Sequence, residues 1–134
     1  MHTSAARAHA LRTSGVTYPG SVEYVSAVRA DLRALLPDRP VADDVILCAS
    51  ELAANAALHS RSRLPGGTFT VRAVVHSCCH VQIEVEDNGG PWTASPDEPN
   101  GHHGLNIVRA LAKEWGTSDN QVARVIWARF DWSE

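Results

Sequence analysis

Lysine is almost absent from this chain of 134 residues: of twelve basic side chains eleven are arginine, a bias that reads as GC-rich coding more than as chemistry. The single lysine, Lys113, lies outside any G-K-[ST] context, which excludes a P-loop. Charge of one sign is lacking too. Twelve basic and fifteen acidic residues are interspersed for a net charge of -3, so no basic stripe is available to displace counterions from a phosphate backbone, and direct nucleic-acid binding is not expected. No apolar run approaches membrane-spanning length, and the first 14 residues, with Arg7 and Arg12 among alanines and histidines, lack the apolar centre of a secretory signal. A cytoplasmic protein without membrane contact is the expectation. Cysteine is scarce: Cys48, Cys78 and Cys79 cannot all pair, and the adjacent two do not suit a zinc site built on C-x-x-C spacing, so they read as reduced thiols.

What is present suffices for one compact core. Residues 1–14 read as a loosely held arm, and a single domain is expected over 15–134. Thr17-Tyr18-Pro19-Gly20-Ser21 reads as punctuation before a helix running to Leu36, with Ser21 as its N-cap. Pro37 and Pro40 break that helix, and a second is expected from about Val41 to Ser60, with Asp43 and Asp44 matched to its positive end. After a polar turn at 61–67, Thr68 to His76 and Val81 to Asp87 read as strands of a hairpin. The aperiodic stretch 88–101, rich in proline and glycine, is a long loop of the kind that usually carries function. A third helix is expected from Leu105 to Trp115 and a last strand from Val122 to Trp132.

Three pieces carry chemistry. On the second helix, Val41, Val45, Cys48, Ala49, Leu52 and Ala56 form an apolar arc, and Glu51 and Asn55, about 40° apart, lie just off its edge. An amide oxygen there can coordinate Mg²⁺ while a carboxylate orients or deprotonates a nucleophile; two ordinary solvated positions are the plain alternative. In the strand, Val81, Ile83 and Val85 share a face that ends in Asp87. A carboxylate placed so needs donors. The exocyclic amine of adenine is one, and an Asx turn through Asn88 and Gly89 is another. Gly89 and Gly90 permit a sharp turn or the close approach of a flat ring. Finally, Gly101 and Gly104 flank His102 and His103 immediately before a helix, whose free N–H groups favour phosphate. Gly101, His103 and Gly104 are taken into the phosphate-binding set; a flexible helix start with solvated histidines is the alternative.

The order of these pieces, Glu51-Leu52-Ala53-Ala54-Asn55, then Asp87-Asn88-Gly89-Gly90, then Gly101-His102-His103-Gly104-Leu105, resembles the Bergerat-fold (GHKL-type) ATPases. Within that superfamily the chain is most similar to the small bacterial anti-sigma factor serine/threonine kinases, over roughly Tyr18 to Phe130. Flanking segments shared with that group include Val41-Ala42-Asp43-Asp44, His59-Ser60, Gly89-Gly90-Pro91-Trp92 and Trp115-Gly116. The resemblance implies an α/β (α+β) two-layer sandwich with helices on one face of a mainly antiparallel sheet. It further implies that Asn55 holds Mg²⁺, Glu51 activates the attacking hydroxyl, Asp87 binds the adenine amine of ATP, and Gly89, Gly104 and Leu105 shape the pocket and lid. The implied partners are an anti-anti-sigma protein, phosphorylated on serine or threonine, and in the other switch state a sigma factor; relatives also suggest a homodimer.

The chain departs from the family pattern where Pro91 replaces a glycine, where two histidines separate the second pair of glycines, and at Ala123 and Val125, where relatives carry Gly and Thr facing the nucleotide. A protein kinase and an ATP-binding switch module that acts by binding alone are therefore both drawn from the sequence. Trp92 and the apolar face of the first helix are noted as contact surfaces, against ordinary packing.

Overall fold

The computed structural model describes residues 10–37, 40–76, 79–90, 105–120 and 122–132. The chain runs β1 (Ala10–Pro19), a 3₁₀ turn (Val22–Tyr24), α1 (Val25–Leu35), α2 (Ala42–His59), a second 3₁₀ turn (Arg61–Arg63), β2 (Thr68–His76), β3 (His80–Asp87), α3 (Leu105–Leu111), β4 (Glu114–Asp119) and β5 (Arg124–Asp131). The five strands form one sheet in the order β1-β2-β3-β5-β4, with every neighbour antiparallel.

Strict alternation in β2, β3 and β5 separates a buried face from a half-exposed one. Register turns this alternation into rungs across the three strands: Val75, Val81 and Phe130; Ala73, Ile83 and Ala128; Val71, Val85 and Ile126. The next rung is charged, Asp87 opposite Arg124. Helices cover the apolar rungs. α1 contributes Val25, Val28 and Leu32 at helical spacing, so its apolar face is packed into the core and is not a free contact surface. α2 lies against β2 and β3, and its alanines at 49, 53, 56 and 57 let it approach the sheet closely while Val45 and Leu52 fill the space between. Each large aliphatic side chain buried in this way contributes about 1.5–3 kcal/mol. α3 seats Val108 in the same core.

Four expectations are revised by this arrangement. Of the arm expected over 1–14, residues 1–9 lie outside the described residues and 10–14 belong to β1, which pairs with β2 along its length and runs through Thr17 and Tyr18 to Pro19. As an edge strand β1 bonds on one side only, which is where proline is tolerated. Ser21 does not cap α1. It precedes the 3₁₀ turn, makes no side-chain capping bond, and donates from Oγ to Glu23 at 3.2 Å. The third helix stops at Leu111, because Lys113 N donates to the Arg129 carbonyl at 2.8 Å and the chain then pairs with β5 as β4. Trp115 therefore belongs to a strand. The last strand begins at Arg124, leaving Val122 73% exposed.

Among the described residues no helix is long and apolar enough to cross a membrane.

Candidate nucleotide site

Glu51 and Asn55 sit in the C-terminal half of α2, a helix packed on β3, and Asp87 ends β3. A bonded junction ties the end of α2 to the end of β3. Ser60 Oγ donates to the Ala56 carbonyl at 2.7 Å and accepts from Ser62 N at 3.0 Å, which ends the helix and starts the turn. Ser62, fully buried, accepts on Oγ from Asn88 N at 2.9 Å, and Arg61 N donates to the Gly89 carbonyl at 2.9 Å. Asn88 in turn accepts on Oδ1 from Thr68 N at 3.0 Å. The Asn88-Gly89-Gly90 segment is thus held from the helix side and from the sheet side. None of Ser60, Ser62 and Asn88 was singled out for this from sequence, since the bonds join positions up to 26 residues apart.

Glycine is required here for two different reasons. Gly89 and Gly90 have φ of 71° and 89°, and a Cβ on Gly90 would stand 2.7 Å from Arg61 Cγ. Gly20 and Gly67, bonded to each other (N to O, 2.9 Å), enclose the Ser62 backbone so closely that a Cβ on either would lie about 2 Å from the Ser62 carbonyl oxygen, at 1.8 and 2.1 Å.

Asp87 is 6% exposed. Its Oδ1 accepts from Gly89 N at 2.6 Å, so the Asx turn considered from sequence is present. The other carboxylate oxygen has no hydrogen-bond partner among the described residues. Burial pushes this carboxyl above the ordinary range, while the Gly89 N–H and the Arg124 guanidinium pull the other way. The turn and the ligand reading therefore use different oxygens of one side chain and are compatible. Asn55, 9% exposed, has its Nδ2 buried without a hydrogen-bond partner among the described residues. A buried orphan donor of this kind normally costs about 1–3 kcal/mol. Rotating the amide by a half-turn offers an oxygen in its place, so the group suits either a phosphate oxygen or a hard cation. Glu51 is half-buried and has no hydrogen bond among the described residues, and its charge contributes, after burial and Asp44, to raising the Cys48 thiol to about 12. Cys48 in turn points its sulfur at the Ile107 carbonyl, 3.9 Å away, which brings α3 against the same stretch of α2. Leu105, the first residue of α3, packs against the core. Gly101, His103 and Gly104, with His102, Pro91 and Trp92, lie outside the described residues.

Val125, at the position where relatives carry a Thr, lies on the half-exposed face of β5, opposite Glu86. Ala123 lies beside Gly89. The residue that faces inward next to Asp87 is Arg124, 9% exposed, whose Nη2 donates to the Gly90 carbonyl and whose Nε donates to Asp119 at 3.2 Å. Its sequence signal was available: Arg124 continues the inward row Ile126, Ala128, Phe130 by one step of two.

A buried carboxylate closing a strand, a buried amide on the covering helix and a glycine turn between them is the arrangement expected of the superfamily named above, and the family comparison agrees. The model of the histidine kinase-like ATPase domain matches residues 18–130. The chain belongs to that family. The histidine kinase-like domain described here also superposes on a crystal structure of the RsbU and RsbW domains of Rv1364c from Mycobacterium tuberculosis, with a TM-score of 0.69 and 22% identity. That match covers 89% of this chain and 32% of the other, so this chain spans about a third of that protein's length, and the likeness is one of fold. No curated protein matches the chain. The Bergerat-type α+β sandwich anticipated from sequence is the observed one: five antiparallel strands with helices on one face.

Proposed function

We propose that this histidine kinase-like domain binds ATP with Mg²⁺ between α2 and the end of β3, and acts as an anti-sigma-type protein serine/threonine kinase on an anti-anti-sigma partner. The observation that carries the reading is Asp87: a buried carboxylate with one oxygen spent on its own turn and the other without a hydrogen bond among the described residues. That second oxygen suits the amino group of adenine. Asn55, with its orphaned amide, is the residue that would hold Mg²⁺ or a phosphate oxygen, and Gly89, Leu105 and the Gly101, His103 and Gly104 segment would complete the pocket. Bound Mg²⁺ would neutralise charge on the phosphates during transfer.

The remaining work falls to side chains of this chain. Phosphoryl transfer needs chiefly positioning and charge stabilisation, so a single base that orients the acceptor hydroxyl is enough from the protein. Glu51 stands one helical turn from Asn55, half-buried and without a hydrogen bond among the described residues, and would take the proton of the partner's serine or threonine hydroxyl. A sigma factor as the second partner and a homodimer as the working assembly belong to the same proposal, as does a cytoplasmic location.

The test separates chemistry from binding. Glu51→Ala should keep ATP affinity and lose transfer to the partner by about 10²- to 10⁴-fold. Undiminished transfer would remove Glu51 from the mechanism. ATP binding with no transfer by the unsubstituted protein would leave a switch module that regulates by binding alone.

A further inference from the structure

The sheet's inward face ends in an unusual rung. Three apolar rungs are followed by a pair of opposite charges, Asp87 and Arg124, on adjacent antiparallel strands. Arg124 is as buried as Asn55, and its guanidinium is directed by two bonds: Nη2 to the Gly90 carbonyl and Nε to Asp119, whose side chain is about half exposed. The same glycine turn is therefore gripped twice, by Asp87 through Gly89 N and by Arg124 through the Gly90 carbonyl. Burying a guanidinium costs several kcal/mol, roughly, unless it is paired, and here Asp119 and the Gly90 carbonyl are among its partners.

We infer that Arg124, opposite Asp87 on the neighbouring strand and bonded to the Gly90 carbonyl of the same turn, sets base selectivity at this site, so that Asp87 accepts from a 6-amino purine and repels a 6-oxo purine. The inference rests on the reading of Asp87 as the base-binding residue. The chemistry is a matter of one proton. An ionised carboxylate can only accept, which suits an amine and opposes a carbonyl; a neutral carboxyl carries an O–H and can donate to a carbonyl. Burial alone drives Asp87 toward the neutral form. Asp119 of β4 and Glu86 of β3 push in the same direction, and Arg124 with the Gly89 N–H opposes them. Among the described residues, the other titratable or charged groups on the elements packed around it include Asp43, Asp44, Cys48, Glu51 and His59 of α2, Arg61 and Arg63 of the turn after it, His80 and Glu84 of β3, Glu114 of β4, and Arg129 and Asp131 of β5; none of these is among the groups that shift Asp87.

The experiment follows the carboxyl itself, without nucleotide. Carbon-13 NMR of the Asp87 side chain, assigned with Asp87→Asn, is titrated in the parent protein and in Arg124→Met, Arg124→Lys and Asp119→Asn. Arg124→Met should raise the Asp87 midpoint, Arg124→Lys should restore most of it, and Asp119→Asn should move it downward. These opposite signs are not produced by general loosening of the fold, and the Asp119 arm decides the matter should Arg124→Met fail to fold. In parallel, calorimetry with ATP and with its 6-oxo analogue ITP should show the preference for ATP falling up to tenfold per unit of midpoint shift in Arg124→Met at pH values below the new midpoint. An unchanged Asp87 midpoint in a folded Arg124→Met, or an unchanged one in Asp119→Asn, would overturn the inference. Failure of the nucleotide reading is distinguishable: the parent protein would then bind neither nucleotide, whatever the carboxyl does.

Discussion

Asp87→Asn should separate stability from binding in opposite directions. The amide keeps an oxygen for the Gly89 N–H, so the 2.6 Å turn bond survives in kind and the backbone of the glycine turn is not asked to move. The lost charge matters in two ways. In the folded protein the Asp87 carboxyl lies above its ordinary range, because burial outweighs the help from Gly89 N–H and Arg124. A carboxyl raised on folding contributes its stability below the unfolded value, near pH 4, and loses it as pH climbs through the folded value. Above the unfolded value the Asp87 carboxyl is therefore a net burden on the fold, and Asp87→Asn should leave the melting temperature of the nucleotide-free protein unchanged or higher at pH 7, with the difference from the parent vanishing toward acid pH. Binding should move the other way. A hydrogen bond to a charged group is worth about 1.5–3 kcal/mol, so replacing the carboxylate should weaken ATP by about 10- to 150-fold. Thermal unfolding from pH 3.5 to 8, paired with calorimetric titration of ATP, checks both. A fall of many degrees at pH 7 would mean that the Arg124 pairing dominates and that the reasoning about burial is wrong; unchanged ATP affinity would remove Asp87 from the base-binding role.

Two further substitution and reactivity experiments bear on the frame around the site. Gly67→Ala places a Cβ about 2 Å from the Ser62 carbonyl, all against backbone, and should cost about 2–3 kcal/mol in urea unfolding while loosening the Asn88 anchor and weakening ATP; full stability would show that the Gly20, Ser62 and Gly67 packing is slack. Cys48, pushed up to about 12 mainly by burial, should react with alkylating reagents at pH 8 about a thousandfold more slowly than an ordinary thiol, and rapid modification followed by mass mapping would contradict its placement between α2 and α3.

The parts of this fold that were legible in sequence are those with one wet and one dry face. α2, β2 and β3 announce themselves by period, and the row Val81, Ile83, Val85 delivers Asp87 to the buried side without any knowledge of tertiary structure. The edge strands did not show. β1 and β4 pair on one side only; β4 buries no residue and carries no alternating pattern to read, and β1 alternates only briefly, with half-buried Val16 and buried Tyr18 between exposed neighbours, before Pro19-Gly20. The site divides in the same way. Glu51, Asn55 and Asp87 follow from local spacing. The Ser60, Ser62 and Asn88 junction and the Gly20 and Gly67 contacts depend on segments brought together only by folding, and no local rule marks them. Arg124 is an intermediate case: its inward direction could be counted from Phe130, but its neighbour across the strand could not.

The claim at the centre of this account is a nucleotide pocket closed by Asp87, and calorimetric titration of the unsubstituted protein with ATP and Mg²⁺, with GTP as the control, tests it most directly. Saturable binding that prefers ATP is the result the geometry predicts. Absence of heat and of any melting shift up to millimolar ATP would contradict it, leaving a histidine kinase-like scaffold that meets its partners without nucleotide.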